Sequence, residues 1–151
     1  MTKHLRRDGV HDDSGFSLVE LLIVVIIMGL LAAIAIPLFV HQTKRAEDSK
    51  AFSDVELLAH EINSWYVNEE DDPVITVLGT DPSRMYHIAA TTVTAPGTED
   101  TAVGPASPGV DAPVLVANSK SDWCVSVTNP RGRFGSWRAG ATFTVGPGTC
   151  S

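Results

Sequence analysis

The residue with the clearest chemical consequence is Glu20. It stands at the front edge of an apolar run in which Leu21 to Val40 supplies twenty residues without a charge. As a helix such a run measures about 30 Å, the thickness of the hydrocarbon core of a bilayer, so the segment is suited to enter a membrane. An unpaired charge deep in a bilayer costs about 2.5 to 3.5 kcal/mol on insertion scales, and a carboxylate at this edge therefore suggests a partner. An amine at about 4 Å would attract it by about 4 kcal/mol at an effective dielectric of about 20, offsetting much of the cost of leaving water. The alternative needs no partner: from the first turn of a helix, Glu20 complements the positive end of the dipole, worth about 0.3 to 1 kcal/mol. Both readings stand open on the sequence, and both effects can coexist.

Other residues able to do chemistry do not gather into a catalytic pattern. There is no phosphate-binding glycine loop, zinc-protease motif or nucleophile elbow, and His60-Glu61 has Ser64 where a second metal-binding histidine would stand. The five histidines, at 4, 11, 41, 60 and 87, are dispersed. Glu69-Glu70-Asp71-Asp72 lacks the alternating spacing and central glycine of a calcium loop. Followed by Pro73, it reads as a solvated helix end. No catalytic residue, metal or cofactor is expected. Arg131, Arg133, Phe134, Trp137 and Arg138 form a basic and aromatic group able in principle to hold phosphates and stack bases. The net charge of −7 argues against broad nucleic-acid binding by bulk charge. The simpler reading of the same group is aromatics covering a sheet, with arginines solvated or touching an acidic neighbouring subunit.

The elements that must position these residues follow from periodicity. After Val40, apolar residues recur at spacings of three and four (Phe52, Val55, Leu58, Ala59, Ile62, Trp65, Tyr66), the face of an amphipathic helix. No Gly or Pro falls between His41 and Asn68, so one helix is expected over residues 16–68, about 80 Å long at 1.5 Å per residue. Ser53-Asp54-Val55-Glu56 could instead open a new helix as a capping box. Gly29, by its backbone entropy, and Pro37, by its missing amide hydrogen, predict a kink near Ile34 to Pro37. Downstream, strands are expected at Val74–Leu78, Met85–Val93, Val114–Ala117, Trp123–Thr128 and Ser136–Val145. The Gly- and Pro-rich stretch from Thr94 to Pro113 reads as an irregular surface connection. The expected fold class is α+β, with a small antiparallel sheet packed on the outer half of the long helix.

The stretch Ser14-Gly15-Phe16-Ser17-Leu18-Val19-Glu20, continued by the apolar run to Pro37, closely resembles the N-terminal signature of type IV pilins and pseudopilins. The resemblance rests on Gly before Phe, Glu four residues after that Phe, and Pro near the end of the segment. It implies that a prepilin peptidase cuts between Gly15 and Phe16 and that the new amino terminus of Phe16 is methylated. It also implies that Glu20 meets the Phe16 amine of a neighbouring subunit as a homo-oligomeric helical filament grows, and that helix between positions such as Gly29 and Pro37 can melt there. The implied partners are the peptidase, an assembly platform driven by a cytoplasmic ATPase, other pilins, and membrane lipid before assembly. Asp12 and Asp13, and a fifteen-residue leader, depart from the family's commoner basic and shorter leaders. Two other fates remain open: secretory cleavage at Ala33-Ile34-Ala35, against which the run is too long and continues past the cut, and an uncleaved single-pass anchor.

The expected organisation is a leader over 1–15, a membrane and filament-core helix half over 16–40, an amphipathic half over 41–68, and an extracytoplasmic β-rich domain over 69–151. Lys3, Arg6 and Arg7 before the span, against Lys44 and Arg45 after it, favour a cytoplasmic leader. Cys124 and Cys150, the only cysteines, then lie outside the cytoplasm, where an intramolecular disulfide is expected. Such a bond would contribute about 3 to 4 kcal/mol through loop closure, and pilins of the resembled family often close a C-terminal loop in this way. The functional expectation is a structural subunit of a type IV pilus-like surface filament. The alternatives are a pseudopilin or minor pilin of a secretion or DNA-uptake machine, and a monomeric membrane-anchored binding module.

Overall fold

The computed structural model describes residues 15–69, 71–90 and 101–150. The expected leader, up to Ser14, and the stretch from Thr91 to Asp100 lie outside the described residues. Helix α1 spans Leu18–Asn68. Ser17 begins it: its carbonyl accepts from the amides of Glu20 at 3.0 Å and Leu21 at 3.3 Å, which makes the start two residues later than expected. The helix is continuous through Gly29, Pro37 and Ser53–Glu56, so no second helix opens at the capping-box pattern.

The chain divides into two compact units, Met1–Phe39 and Val40–Ser151. In the described part of the first, the large apolar side chains of α1 are all exposed. The second unit holds two antiparallel sheets. One orders β1 (Val74–Leu78), β2 (Met85–Ala89) and β3 (Thr101–Pro105); the other orders β4 (Val114–Ser119), β5 (Asp122–Thr128), β6 (Ser136–Gly140) and β7 (Gly146–Pro147).

Three expectations are corrected here. First, β3 lies inside the stretch read as an irregular connection: Thr101 to Pro105 pairs with Ile88 to Met85 across a register shift at Tyr86/His87. Pro105 is tolerated because it ends an edge strand, where a missing amide breaks no ladder. Moreover, Ala106 and Val110 beyond it are buried rather than surface-lying. Second, the strand expected over Ser136–Val145 breaks after Gly140, where the amide of Phe143 donates to the Gly140 carbonyl at 2.9 Å. Phe143 takes a left-handed φ of 56°, a costly conformation for a bulky residue that persists where packing dictates it. Its ring lies 5.2 Å from that of His60 and 6.5 Å from that of Trp123. Third, there are two sheets and not one.

The core forms between the second half of α1 and both sheets. Ala51, Val55, Leu58, Ala59, Ile62 and Tyr66 supply the helix stripe. Tyr86 and Ile88 face it from the first sheet, and Trp123, Val125, Val127 and Ala139 from the second. Alternation along β5 explains Trp123, Val125 and Val127, since every second side chain points to the same face, and Ala139 on β6 stands opposite Val125. Phe52 and Trp65, expected on the helix face, are only half-buried at its margins. The helix ends where Trp65 Nε1 donates to the Asp71 carbonyl at 2.9 Å and the Tyr66 hydroxyl donates to Asp72 at 2.7 Å. Burial, and then this bond to Asp72, push the Tyr66 phenol far above its ordinary range.

Asp54 occupies the apolar stripe and is buried. Its carboxylate accepts from the Tyr86 hydroxyl at 2.8 Å, the Ser107 amide at 3.0 Å and the Ser107 hydroxyl at 2.7 Å. Burial first, and then the negative charge of Asp54, push the Tyr86 phenol far upward, which keeps it a donor. Helix, first sheet and the 106–110 connection thus meet at one carboxylate. Asp54→Ala strands three donors and is expected to cost about 2 to 4 kcal/mol. Thermal unfolding of the full chain should show this as a fall of about 10 °C or more in the midpoint; an unchanged midpoint would exclude the tie.

Candidate functional site

The N-terminal residues singled out by sequence all lie at the start of α1. Gly15 and Phe16 precede the helix in non-helical chain, Phe16 is 79% exposed, and a side chain at Gly15 would meet nothing within 4 Å. With Ser17 as N-cap, Glu20 is the third helical residue. Ser17-Leu18-Val19-Glu20 is therefore the S-x-x-E spacing of a helix start, a signal that charge-based reading of Glu20 passed over. Glu20 is exposed and has no ion pair within its own chain among the described residues. Its first-turn position allows the dipole contribution and leaves the carboxylate accessible to an external cation. Behind it, α1 is a helix long and apolar enough to cross a membrane, with none of the apolar window buried within the chain. Gly29 and Pro37 both lie within uninterrupted helix.

At the other end of the chain, Cys124 on β5 and Cys150 form a disulfide with a Cα–Cα distance of 5.7 Å. It pins the segment after β7 to the central strand of its sheet and closes over the loop that carries the basic and aromatic group. That group does not act as one patch. Trp137 packs edge-on against Phe52 of the helix at 5.3 Å and against Phe134 at 5.5 Å. Arg133 lies over the Phe134 ring at 5.4 Å. Arg138, one residue on along β6, alternates to the opposite face, where it lines a cavity of about 450 Å³ with Cys124, Thr142 and Thr144. Arg131 is exposed and lies against Gly109.

What holds the 129–135 loop is a set of residues the sequence did not single out. Asn129 is fully buried; its Nδ2 donates to the Glu47 backbone carbonyl and to Glu47 Oε2, both at 2.9 Å, while its Oδ1 accepts from the Arg131 amide at 3.1 Å. Asp48, also buried, accepts from the Phe134 amide at 3.1 Å. Gly132 lies so close to the Asp48 carboxylate that any added Cβ would collide with it. Two signals pointed here: the Asn129-Pro130 turn dipeptide, and the recurrence of Asp48, Ala51, Asp54 and Val55 at helical spacing, which places two carboxylates inside the apolar stripe.

Lys50, 2.8 Å from Glu47, and then Asn129 hold the Glu47 carboxyl below its ordinary value of 4.5. A depressed folded value means that the contribution of Glu47 is fully present above the unfolded pKa and is lost as pH falls through the folded one. The midpoint difference between the native chain and Glu47→Gln should therefore shrink as pH is lowered from about 6 to about 3. A difference independent of pH would show that ionisation of Glu47 plays no part in anchoring the loop.

Residues 11–36 match the family described as the prokaryotic N-terminal methylation motif. The chain is 39% identical over 59 residues to a fimbrial protein of Neisseria meningitidis, covering 39% of this chain and 35% of that one. It is 52% identical over 44 residues to a fimbrial protein of Pseudomonas aeruginosa, covering 29% of each. It is 41% identical over 54 residues to the type IV major pilin protein PilE1 of Neisseria gonorrhoeae, covering 36% of this chain and 33% of that one. The chain thus spans about a third of the length of the curated relatives it matches. No solved structure matches it significantly. With the methylation motif at residues 11–36 and relatives that are fimbrial proteins and type IV major pilins, the chain is similar to type IV pilins in its N-terminal sequence signature, and its fold is one long helix followed by small antiparallel sheets.

Proposed function

We propose that the chain is the structural subunit of a type IV pilus-like surface filament, held in the cytoplasmic membrane by the first half of α1 until that half joins a bundle of like helices. The observation that carries this reading is the composition of α1 from Leu18 to Val40. The segment is apolar all round and exposed along its whole length, with Glu20 as its one charge. Each large apolar side chain left in water forgoes about 1.5 to 3 kcal/mol, so the segment demands lipid or other helices. Lipid satisfies the apolar surface and leaves Glu20 unpaired; a neighbouring subunit that brings an amine satisfies both.

In this reading a prepilin peptidase cuts the non-helical Gly15–Phe16 bond, and Phe16 becomes the methylated amino terminus. Its ammonium then meets Glu20 of the adjacent subunit. The peptidase acts first because the internal peptide nitrogen of Phe16 carries no charge. An assembly platform and its ATPase supply the work of moving the helix out of lipid. The C-terminal domain, closed by Cys124–Cys150, faces outward on the finished fibre, and the chain acts by assembly rather than by catalysis.

Edman or mass analysis of surface fibres should place the N-terminus at Phe16 with one added methyl group. Glu20→Ala should leave the cell-associated, membrane-inserted pool intact while reducing fibres at least about tenfold, as expected for loss of a buried charge pair. Fibres of normal number and length in that variant would overturn the pairing, and a mature N-terminus after Ala35 would overturn the filament reading itself.

A further inference from the structure

The chain carries a net charge of −7, yet four of its eight Lys and Arg residues after Gly15, Lys44, Arg45, Arg131 and Arg133, lie either on α1 just past the apolar run or on the loop tied there. Lys44 and Arg45 are exposed on α1 four and five residues beyond the end of the apolar run, whereas Lys50, about 160° around the helix from Asp48, is paired with Glu47. At 100° per residue, His41, Lys44 and Arg45 all fall within about 60° of Asp48 on the helix. That is the face to which the 129–135 loop is tied through Asp48 and Glu47. The loop anchored there carries Arg131 and Arg133, both exposed. The two acidic residues in the cluster are already engaged: Glu47 with Lys50 and Asn129, and Asp48 with the Phe134 amide.

The position of this cluster along the helix decides what it meets. Residues 41–46 are exposed, and Glu47 and Asp48 are the first residues past the apolar run that anything covers. Among the described residues, the 129–135 loop is tied to the helix at Glu47 and Asp48, about 10 to 12 Å beyond Val40. At 1.5 Å per residue, Lys44 and Arg45 stand about 6 to 8 Å beyond Val40, within the headgroup layer of about 5 to 8 Å that flanks the hydrocarbon core. Phe134 adds an apolar ring that is 51% exposed, with Arg133 over it. Aromatic rings beside long basic side chains are the composition of a membrane–water interface, where the ring and stems meet the boundary and the cations meet phosphate.

We propose that Lys44, Arg45, Arg131, Arg133 and Phe134 form a collar that docks the C-terminal domain on the anionic phospholipid headgroups of the membrane holding α1, before the subunit enters a filament. This rests on the reading of residues 18–40 as a membrane segment and adds a second, electrostatic contact to it. Lipid fits better than nucleic acid because Arg138 faces away on β6, the remaining chain is acidic, and Lys44 and Arg45 stand within one headgroup depth of the apolar run, with the loop tied to the helix one turn further on. Each cation near an anionic surface contributes several-fold to the docked population at physiological salt, and high salt screens the effect.

The full chain, incorporated at one copy per lipid nanodisc, tests this with the lipid as the variable. Amide hydrogen exchange over residues 130–135 should be slower by about fivefold or more in discs with about 30% phosphatidylglycerol than in discs of phosphatidylcholine alone. The difference should vanish in about 0.5 M NaCl and in the double variant Arg131→Gln/Arg133→Gln. Arg138→Gln, on the opposite face, should keep it. Equal exchange in the two lipids overturns the collar while leaving the membrane segment standing. Protection that arises only with several chains per disc assigns the surface to a second copy and overturns the lipid contact. Failure of the chain to enter discs at all overturns the membrane reading underneath it.

Discussion

A carboxylate in an apolar core survives folding only when its lone pairs are met, and Asp54 is such a group. Its three donors come from β2 and from the connection that follows β3. The two sheets share no strand pairing, so the helix is the element both pack on, and its register against them must be specified. The apolar stripe alone tolerates a shift of one turn, because residues at three and four spacing exchange places. Asp54 does not tolerate it: a shift would leave a buried charge unpaired, at a cost of several kcal/mol. Asp48 and Glu47 repeat the device about 9 Å lower on the helix, against the other sheet's loop.

The first half of α1 is built on the opposite rule. It has no polar side chain from Leu21 to Val40 and so no directional demand on its surroundings. Such a surface is as well satisfied by lipid tails as by other apolar helices, since neither offers a hydrogen bond the other lacks. Transfer between the two environments then turns on packing and on the one charge at the front. Were carboxylates like Asp48 and Asp54 placed in this half, they would fix one partner and forbid the exchange.

Much of this was legible in the sequence where a single period governs a long stretch. The helix was, because twenty-eight residues from His41 to Asn68 lack Gly and Pro and keep one apolar face. The cysteine pair was, because only one pairing exists. The sheets were less so. β3 was hidden by the glycines and prolines around it, and its pairing with β2 is long-range information that no local pattern holds. The break after Gly140 depends on Phe143 accepting a left-handed φ for the sake of His60 and Trp123, which local propensity opposes. The helix carboxylates escaped notice because reading an amphipathic face by its apolar members treats the polar ones as solvent-facing.

Nearness in sequence misled most where the strand period is two. Arg131, Arg133, Phe134, Trp137 and Arg138 look like one group over eight residues, but β6 turns Trp137 toward Phe52 and Arg138 away from it. The residues that anchor the loop carrying Arg131 and Arg133 lie more than eighty positions earlier, on the helix, at Glu47 and Asp48. The acidic end makes the same point. Glu69, Asp71 and Asp72 oppose the negative pole of the helix dipole, which disfavours them by about 0.3 to 1 kcal/mol per charge at close range. The cost is offset because Trp65 and Tyr66 reach forward to Asp71 and Asp72 and turn the chain toward Pro73, which is buried. Acidic residues that only stopped the helix could be replaced by any solvated turn. Asp72 cannot, because without it the Tyr66 hydroxyl, set at the edge of the core, loses its acceptor.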